Sequence, residues 1–483
     1  MTDLAYRAAV DLADMLRRRE IGCLELLDVL LQRVELYDAE LNAIVVRDAP
    51  RARQRAEEAD RALAEGEVWG PLHGLPITIK EAFDVEGLPT TWGVSAKVAN
   101  YAERHAAAVQ RLVDAGAVIF GKTNVPFRLT DWQTFNELYG TTNNPWDLAR
   151  SPGGSSGGAV AALATGLSAL ELGSDIGGSL RNPAHFTGVC GHKPSYGVVP
   201  QTGHGLPEFL APPDINVCGP LARTVADLEL ALDLIAGPDE LDATAWRLTL
   251  PPPSFERPDD LKVAVITTDP ASPVDDSVQA KVLAAAQALE GLGAKVEQVA
   301  APVDFEAAYV LFIKLLRGVT TSVLPDAEFA PFLRDAELIE PDDDSYFARL
   351  TRAAVQSHRA WFHADEERYR QRLAWRDFFE TWDVLLCPAA PVTAFKHDRA
   401  TPRHMRRIEI NGEPGDYNRM MVWASTFGIA YLPSTVVPVG LTPAGLPSGV
   451  QIVGPYLGDL TTLAVGRLIE QALGGFTPPP AYD

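Results

Sequence analysis

Near the N-terminus apolar residues recur at helical spacing. Leu12, Met15 and Leu16 share one face and Leu24, Leu27, Leu31 and Val34 another, so residues 3–65 predict two or three amphipathic helices. The run RARQRAEEADRALAEGE extends them as a solvated helix. At Ile77-Thr78-Ile79-Lys80 the period shortens to that of a strand, which ends on a lysine. HAAAVQRLVDA predicts a helix that stops at Gly116, and AVIF a buried strand. Residues 126–145 are aromatic and amide-rich, as in an ordered loop, and residues 181–220 are turn-rich. TVADLELALDLIAG predicts a helix capped by Thr224 and closed at Gly237. After a Pro-rich connection over 238–260, LKVAVIT, DSVQAKVLAAAQALEGLG and AKVEQVA predict strand, helix and strand. Residues 303–380 look mostly helical, and WDVLLCPAAP, LPSTVVPVG and GVQIVGP supply short apolar strands. Alternating helices and strands predict a layered α/β fold.

Residues 151–181, SPGGSSGGAVAALATGLSALELGSDIGGSLR, stand apart. Gly153, Gly154, Gly157 and Gly158 surround Ser155, and Gly177 and Gly178 lead into Ser179. The proline-free, Ala- and Leu-rich spacer predicts a helix and a short strand. Loop, helix, strand and loop would then fold back and bring the two serines together.

Composition narrows the setting. Hydrophobic content of 47% suits a chain with a real core, and a net charge of −22 disfavours nucleic acid and anionic membrane as partners. Cys23, Cys190, Cys218 and Cys387 are scattered, as expected of reduced thiols in a cytoplasm. No apolar leader opens the sequence and no run suits a membrane span. His358 and His363 lack the i, i+4 zinc spacing, so no metal and no cofactor is expected.

Three chemistries compete on the residues alone. GAVIFGKT (116–123) fits a phosphate-loop pattern, but its centre wants to be the strand itself, and the order helix, strand, loop is wrong for nucleotide binding. Gly153 to Gly157 satisfies GxSxG, yet the polar NNPWDLARSP upstream cannot be the strand that a nucleophile elbow requires. The third layout takes Lys80 as a base for serine chemistry. A free lysine titrates near ~10.4, so neutrality at pH 7 costs about 4–5 kcal/mol, which burial can supply.

GLPITIKEAFDV around Lys80, SPGGSSGGAVAAL around Ser155 and GSDIGGSLRNPAHFTGVCGHKP around Ser179 closely resemble the amidase signature family. GKTNVPF, LNAIVVRD and LPSGVQIVGP support the match, which is weakest over 240–420. The resemblance implies a central twisted mixed β-sheet with helices on both faces. It also implies one domain over 1–483: N-terminal helices (3–65), signature core (70–237), variable substrate-channel region (240–420) and a return to the core (421–475). For the site it implies Ser179 as the nucleophile, Ser155 (after a cis peptide from Gly154) as the bridge and Lys80 as the neutral base. The N–H groups of Ile176, Gly177, Gly178 and Ser179 would form the oxyanion hole. Ser156 and Ser174 would support the network, and Asp175 and Arg181 would pair to fix the loop.

The first expected function is a stand-alone amidase for small, aryl or anilide-type amides, with carbamates or esters as related substrates. Trp132, Gln133 and Thr134 are the expected substrate contacts, and a homodimer stays open. The alternative is the glutaminase component of a tRNA-dependent transamidation complex. The sequence departs from that component's Thr-Gly-Gly-Ser-Ile-Arg-Gln tendency, reading GSDIGGSLRNPAHF. The stretch YVLFIKLLRGV suits core packing before a channel wall, a dimer face or a weak membrane-surface helix, the last disfavoured by the acidic whole.

Overall fold

The computed structural model describes residues 2–206 and 210–483. Four helices open the chain, Thr2–Ala5, Ala9–Arg17, Cys23–Leu41 and Ala49–Glu65, with strand Ile44–Arg47 before the last. Eleven strands form one mixed sheet. From one edge the order is Ile44–Arg47, Val118–Thr123, Pro76–Lys80, Glu171–Asp175, Val217–Ala222 and Cys190–Lys193. It continues through Ser434–Leu441, Pro447–Val453, Val384–Pro388 and Lys262–Val265 to Lys295–Gln298. The expected α/β class and mixed sheet are both present.

Pro76–Lys80 lies between two parallel neighbours, with Lys80 opposite Thr123 and Thr78 opposite Glu171. Both faces of such a strand are covered, so all five of its residues are buried, the lysine included. Gly121, Lys122 and Thr123 continue the neighbouring strand, and Lys122 donates to the Pro89 carbonyl and, at 3.0 Å, to Thr90 Oγ1. No phosphate loop exists there.

Helix Gly157–Ala164 is apolar on every side and buried throughout. The turn-rich reading of 181–220 needs correction. It contains helix Arg181–Thr187 and strands Cys190–Lys193 and Val217–Ala222. Pro183 falls in the first helical turn, where a missing N–H costs nothing, and Gly188 closes the helix at φ +73°. The C-terminal part also holds helix Asp459–Leu473 and a hairpin, Arg407–Ile410 with Glu413–Asp416, turning on Asn411 and Gly412 at positive φ. Among the described residues no helix is long and apolar enough to cross a membrane.

Candidate active site

Strand Pro76–Lys80 delivers Lys80 Nζ into a ring of hydroxyls. Ser155 Oγ lies at 2.8 Å, Ser156 Oγ at 2.9 Å and Ser174 Oγ at 3.0 Å, with the Ser174 carbonyl at 3.4 Å. Ser155 and Ser156 come from the loop before helix Gly157–Ala164, and Ser174 from the adjacent strand Glu171–Asp175. Burial pulls the Lys80 amine down to about 7, against the opposing pull of Asp175. Asp175 is itself held by Arg181, and among the described residues no acid forms a direct ion pair with the lysine.

Behind Ser174 stands a residue that the sequence pattern did not single out. His204 Nε2 is 2.9 Å from Ser174 Oγ, and its ring packs against Phe83 and Trp92 at centroid distances of 4.6 and 5.5 Å. Burial, aided by the charge of Lys80, lowers His204 to about 3, so the ring is neutral.

Asn182, likewise not singled out, ties the two serine loops together. Its Nδ2 donates to the carbonyls of Gly154 and Gly178, both at 2.6 Å, and its Oδ1 accepts from Gly154 N at 3.1 Å. The Gly154–Ser155 peptide is cis. A Cβ on Gly154 would lie 2.4 Å from the Asp131 carbonyl oxygen, and one on Gly178 (φ +103°) 2.8 Å from the Trp132 ring. Both positions therefore require glycine.

Asp175 and Arg181 pair at 2.9 Å with no exposure on either side chain. Burial alone would raise the carboxyl, but the guanidinium outweighs it and holds Asp175 at about 2. The same carboxylate accepts from Gly178 N at 2.8 Å and Leu180 N at 3.0 Å. This corrects the expected set of oxyanion donors, because the Gly178 N–H is already committed to Asp175. Among the described residues the N–H groups of Ile176, Gly177 and Ser179 have no partner within the protein.

Ser179 lies on the wall of a cavity of about 610 Å³, with Ile176, Gly177, Trp132 and His204. It makes no hydrogen bond to Ser155 among the described residues. Much of the remaining lining is apolar, including Leu129, Ala211, Pro212, Leu316, Val319 and Met421. The expected trio of substrate contacts splits. Trp132 lines this cavity and donates Nε1–H to the Gly177 carbonyl at 3.0 Å. Gln133 instead exchanges two hydrogen bonds with the backbone of Asp398, at 2.9 and 2.8 Å, and Thr134 donates to the Gly153 carbonyl at 2.8 Å. Both are buried, held by these hydrogen bonds to the backbone of Asp398 and Gly153.

Residues 25–463 match the sequence profile of the family described as Amidase. A glutamyl-tRNA(Gln) amidotransferase subunit from Acidothermus cellulolyticus is 34% identical, covering 98% of this chain and 95% of that protein. The indoleacetamide hydrolase of Bradyrhizobium diazoefficiens is 33% identical, covering 96% of this chain and 86% of that protein. A solved bacterial aryl acylamidase of the amidase signature enzymes superposes with a TM-score of 0.81 at 25% identity, covering 99% of this chain and 97% of that one.

Proposed function

The chain belongs to the amidase signature family of hydrolases acting on amide C–N bonds, and within it we propose a stand-alone serine amidase for amides with an apolar or aryl body. The observation carrying the serine chemistry is the buried Lys80 amine, 2.8 Å from Ser155 Oγ. A neutral amine has two N–H groups and one lone pair, and here it faces three hydroxyls. Asn216 Nδ2 lies 3.4 Å from His204 Nδ1, so the neutral ring carries its proton on Nε2 and donates it to Ser174 Oγ, whose second lone pair accepts from Lys80. Ser156 Oγ, 3.5 Å from the Ser174 carbonyl, accepts likewise when its own O–H points there. The lone pair is left for the Ser155 proton.

Lys80 takes the proton of Ser155 as Ser155 takes that of Ser179, and Ser179 Oγ attacks the carbonyl carbon. Reaction requires the Ser179 side chain to turn toward Ser155, within the reach that the Asn182 clamp sets; catalytic contacts are often long before substrate binds. The N–H groups of Ile176, Gly177 and Ser179 receive the developing oxyanion. The relayed proton leaves with the amine, and water then releases the acyl group from Ser179. Carbamates and esters can form the same acyl-enzyme. Four buried free cysteines fit a reducing, cytoplasmic setting.

The curated relatives favour a second reading, since seven of them at 30–34% identity are glutamyl-tRNA(Gln) amidotransferase subunits. The cavity favours the first. Glutamine carries an ammonium that needs an acceptor, and among the described residues the two acids lining the cavity are engaged. Asp131 accepts from Arg406 at 2.5 Å and Tyr417 at 2.6 Å, and Asp214 from Arg368 and Tyr431, each at 2.5 Å. The deciding experiment assays the purified chain against aryl amides, anilides, carbamates, esters and glutamine. Anilide hydrolysis by the chain alone is expected. Glutamine hydrolysis that appears only on adding the other components of an amidotransferase complex, with every aryl amide inert, would establish the second reading instead.

A further inference from the structure

We propose that Arg317 and Arg403 form a carboxylate-binding subsite on the wall of the Ser179 cavity, so that the substrate pairs its apolar body with a carboxylate. The proposal rests on the amidase reading for the reaction, and on the charges of the cavity for the subsite.

Most charged groups along this cavity are matched. Arg128 holds Glu328 with two bonds of 2.5 and 2.9 Å, and Asp131 and Asp214 each have an arginine and a tyrosine. Arg317 and Arg403 line the same space and differ. Arg317 donates to the Tyr346 hydroxyl at 2.8 Å and to Thr320 Oγ1 at 3.5 Å. Arg403 donates to the Thr130 carbonyl and, at 3.2 Å, to Met421 Sδ. Every one of these acceptors is a neutral group. Among the described residues neither guanidinium has a carboxylate within 4.0 Å, and the Nε of each is buried with no hydrogen-bond partner.

Asp131 acts on Arg403 from a distance but is already taken by Arg406 and Tyr417, so two like charges face the cavity without a carboxylate in contact among the described residues. Tyr346 shows that both act on the same space, since Arg317 and then Arg403 lower its hydroxyl against the effect of burial. A planar carboxylate, accepting from two guanidinium forks, answers both charges and supplies the missing acceptors. The molecule as a whole carries −22. Its long-range field repels anions, so a local excess of positive charge inside the cavity works against the general trend and calls for a specific cause.

The carboxylate can sit on the acyl half or on the amine half of the amide, and three probes separate the cases. They are neutral butyranilide, the mono-anilide of succinic acid, and the butyryl amide of meta-aminobenzoate. Calorimetry on the Ser179→Ala protein measures binding without turnover. One charged probe is expected to bind about 10- to 100-fold more tightly than butyranilide, the range for a hydrogen-bonded charge pair. Which of the two does so names the half. In Arg317→Gln and in Arg403→Gln backgrounds that ratio is expected to fall toward one. Equal binding of all three probes overturns the subsite, as does a ratio that both substitutions leave intact. Hydrolysis by the wild-type chain is read separately. Turnover without a charge preference removes the subsite and keeps the amidase. A charge preference in binding, with no probe hydrolysed, does the reverse.

Discussion

Lys80 has an ordinary value of 10.5 and is drawn down to about 7 by burial. Only the neutral amine can accept a proton, so activity rises with pH through about 7 and is lost below it. Lys80→Ala is expected to lower kcat by about 10²- to 10⁴-fold, the range for a general base, while circular dichroism stays native. His204 acts through Ser174, as a positioning residue. His204→Phe keeps the packing against Phe83 and Trp92 but removes the Nε2–H donor to Ser174 Oγ, so the Ser174 hydroxyl no longer has its fixed direction. The alkaline plateau of kcat is expected to fall about tenfold or more and the acid limb to move, with KM little changed; a merely structural role would leave the limb in place. Neither His204 nor its link to Lys80 was legible in the sequence, because the contact joins positions 174 and 204 through a fold that local pattern does not encode.

Loops, helices and strands differ in how openly the sequence announces them. The strand ending on Lys80, the helix after Ser155 and the strand before Ser179 follow from apolar periodicity and glycine placement, and the structure places all three in adjoining layers. Helix Arg181–Thr187 was hidden because Asn182-Pro183 reads as a turn, whereas tertiary packing buries every residue of that segment. The hairpin turn Asn411-Gly412 did carry its signal, a dipeptide suited to two positive φ angles, within a segment of weak resemblance. Gln133 and Thr134 adjoin Trp132 in sequence but are held away from the cavity by bonds to the backbone of Asp398 and Gly153, distant partners that adjacency conceals. Asn182 joins the two serine loops, so Asn182→Ala is expected to reduce kcat by one to two orders of magnitude. Loss of its buried bonds to Gly154 and Gly178 should also lower the Tm, because the Gly154 carbonyl is left without a donor while the Gly178 carbonyl keeps only the backbone N–H of residue 182. Scanning calorimetry alongside steady-state rates checks both effects.

Across the whole molecule the sheet stabilises a site that opposes it. Between pH 7 and 10.5 the unfolded chain holds more protons on Lys80 than the folded one, so this group's contribution makes stability rise with pH over that window. Below 7 the full penalty is present, on the order of a few kcal/mol. Lys80→Met removes the charge at similar volume. Its Tm is expected to exceed that of the wild type by a few degrees at pH 7, with the excess shrinking as pH approaches 10. A constant difference across that range would contradict a buried, titrating lysine. Lys193, likewise buried and lowered to about 7, titrates in the same region as Lys80, so a pH limb alone does not identify the base. The most direct measurement is therefore the rate of Ser179 acylation against pH, taken by single-turnover kinetics for the wild type and for Lys80→Ala. The wild type is expected to rise through an apparent pKa of about 7, and the variant to be slow and flat over the same range. A variant that keeps the same limb at a comparable rate would show that another group removes the proton.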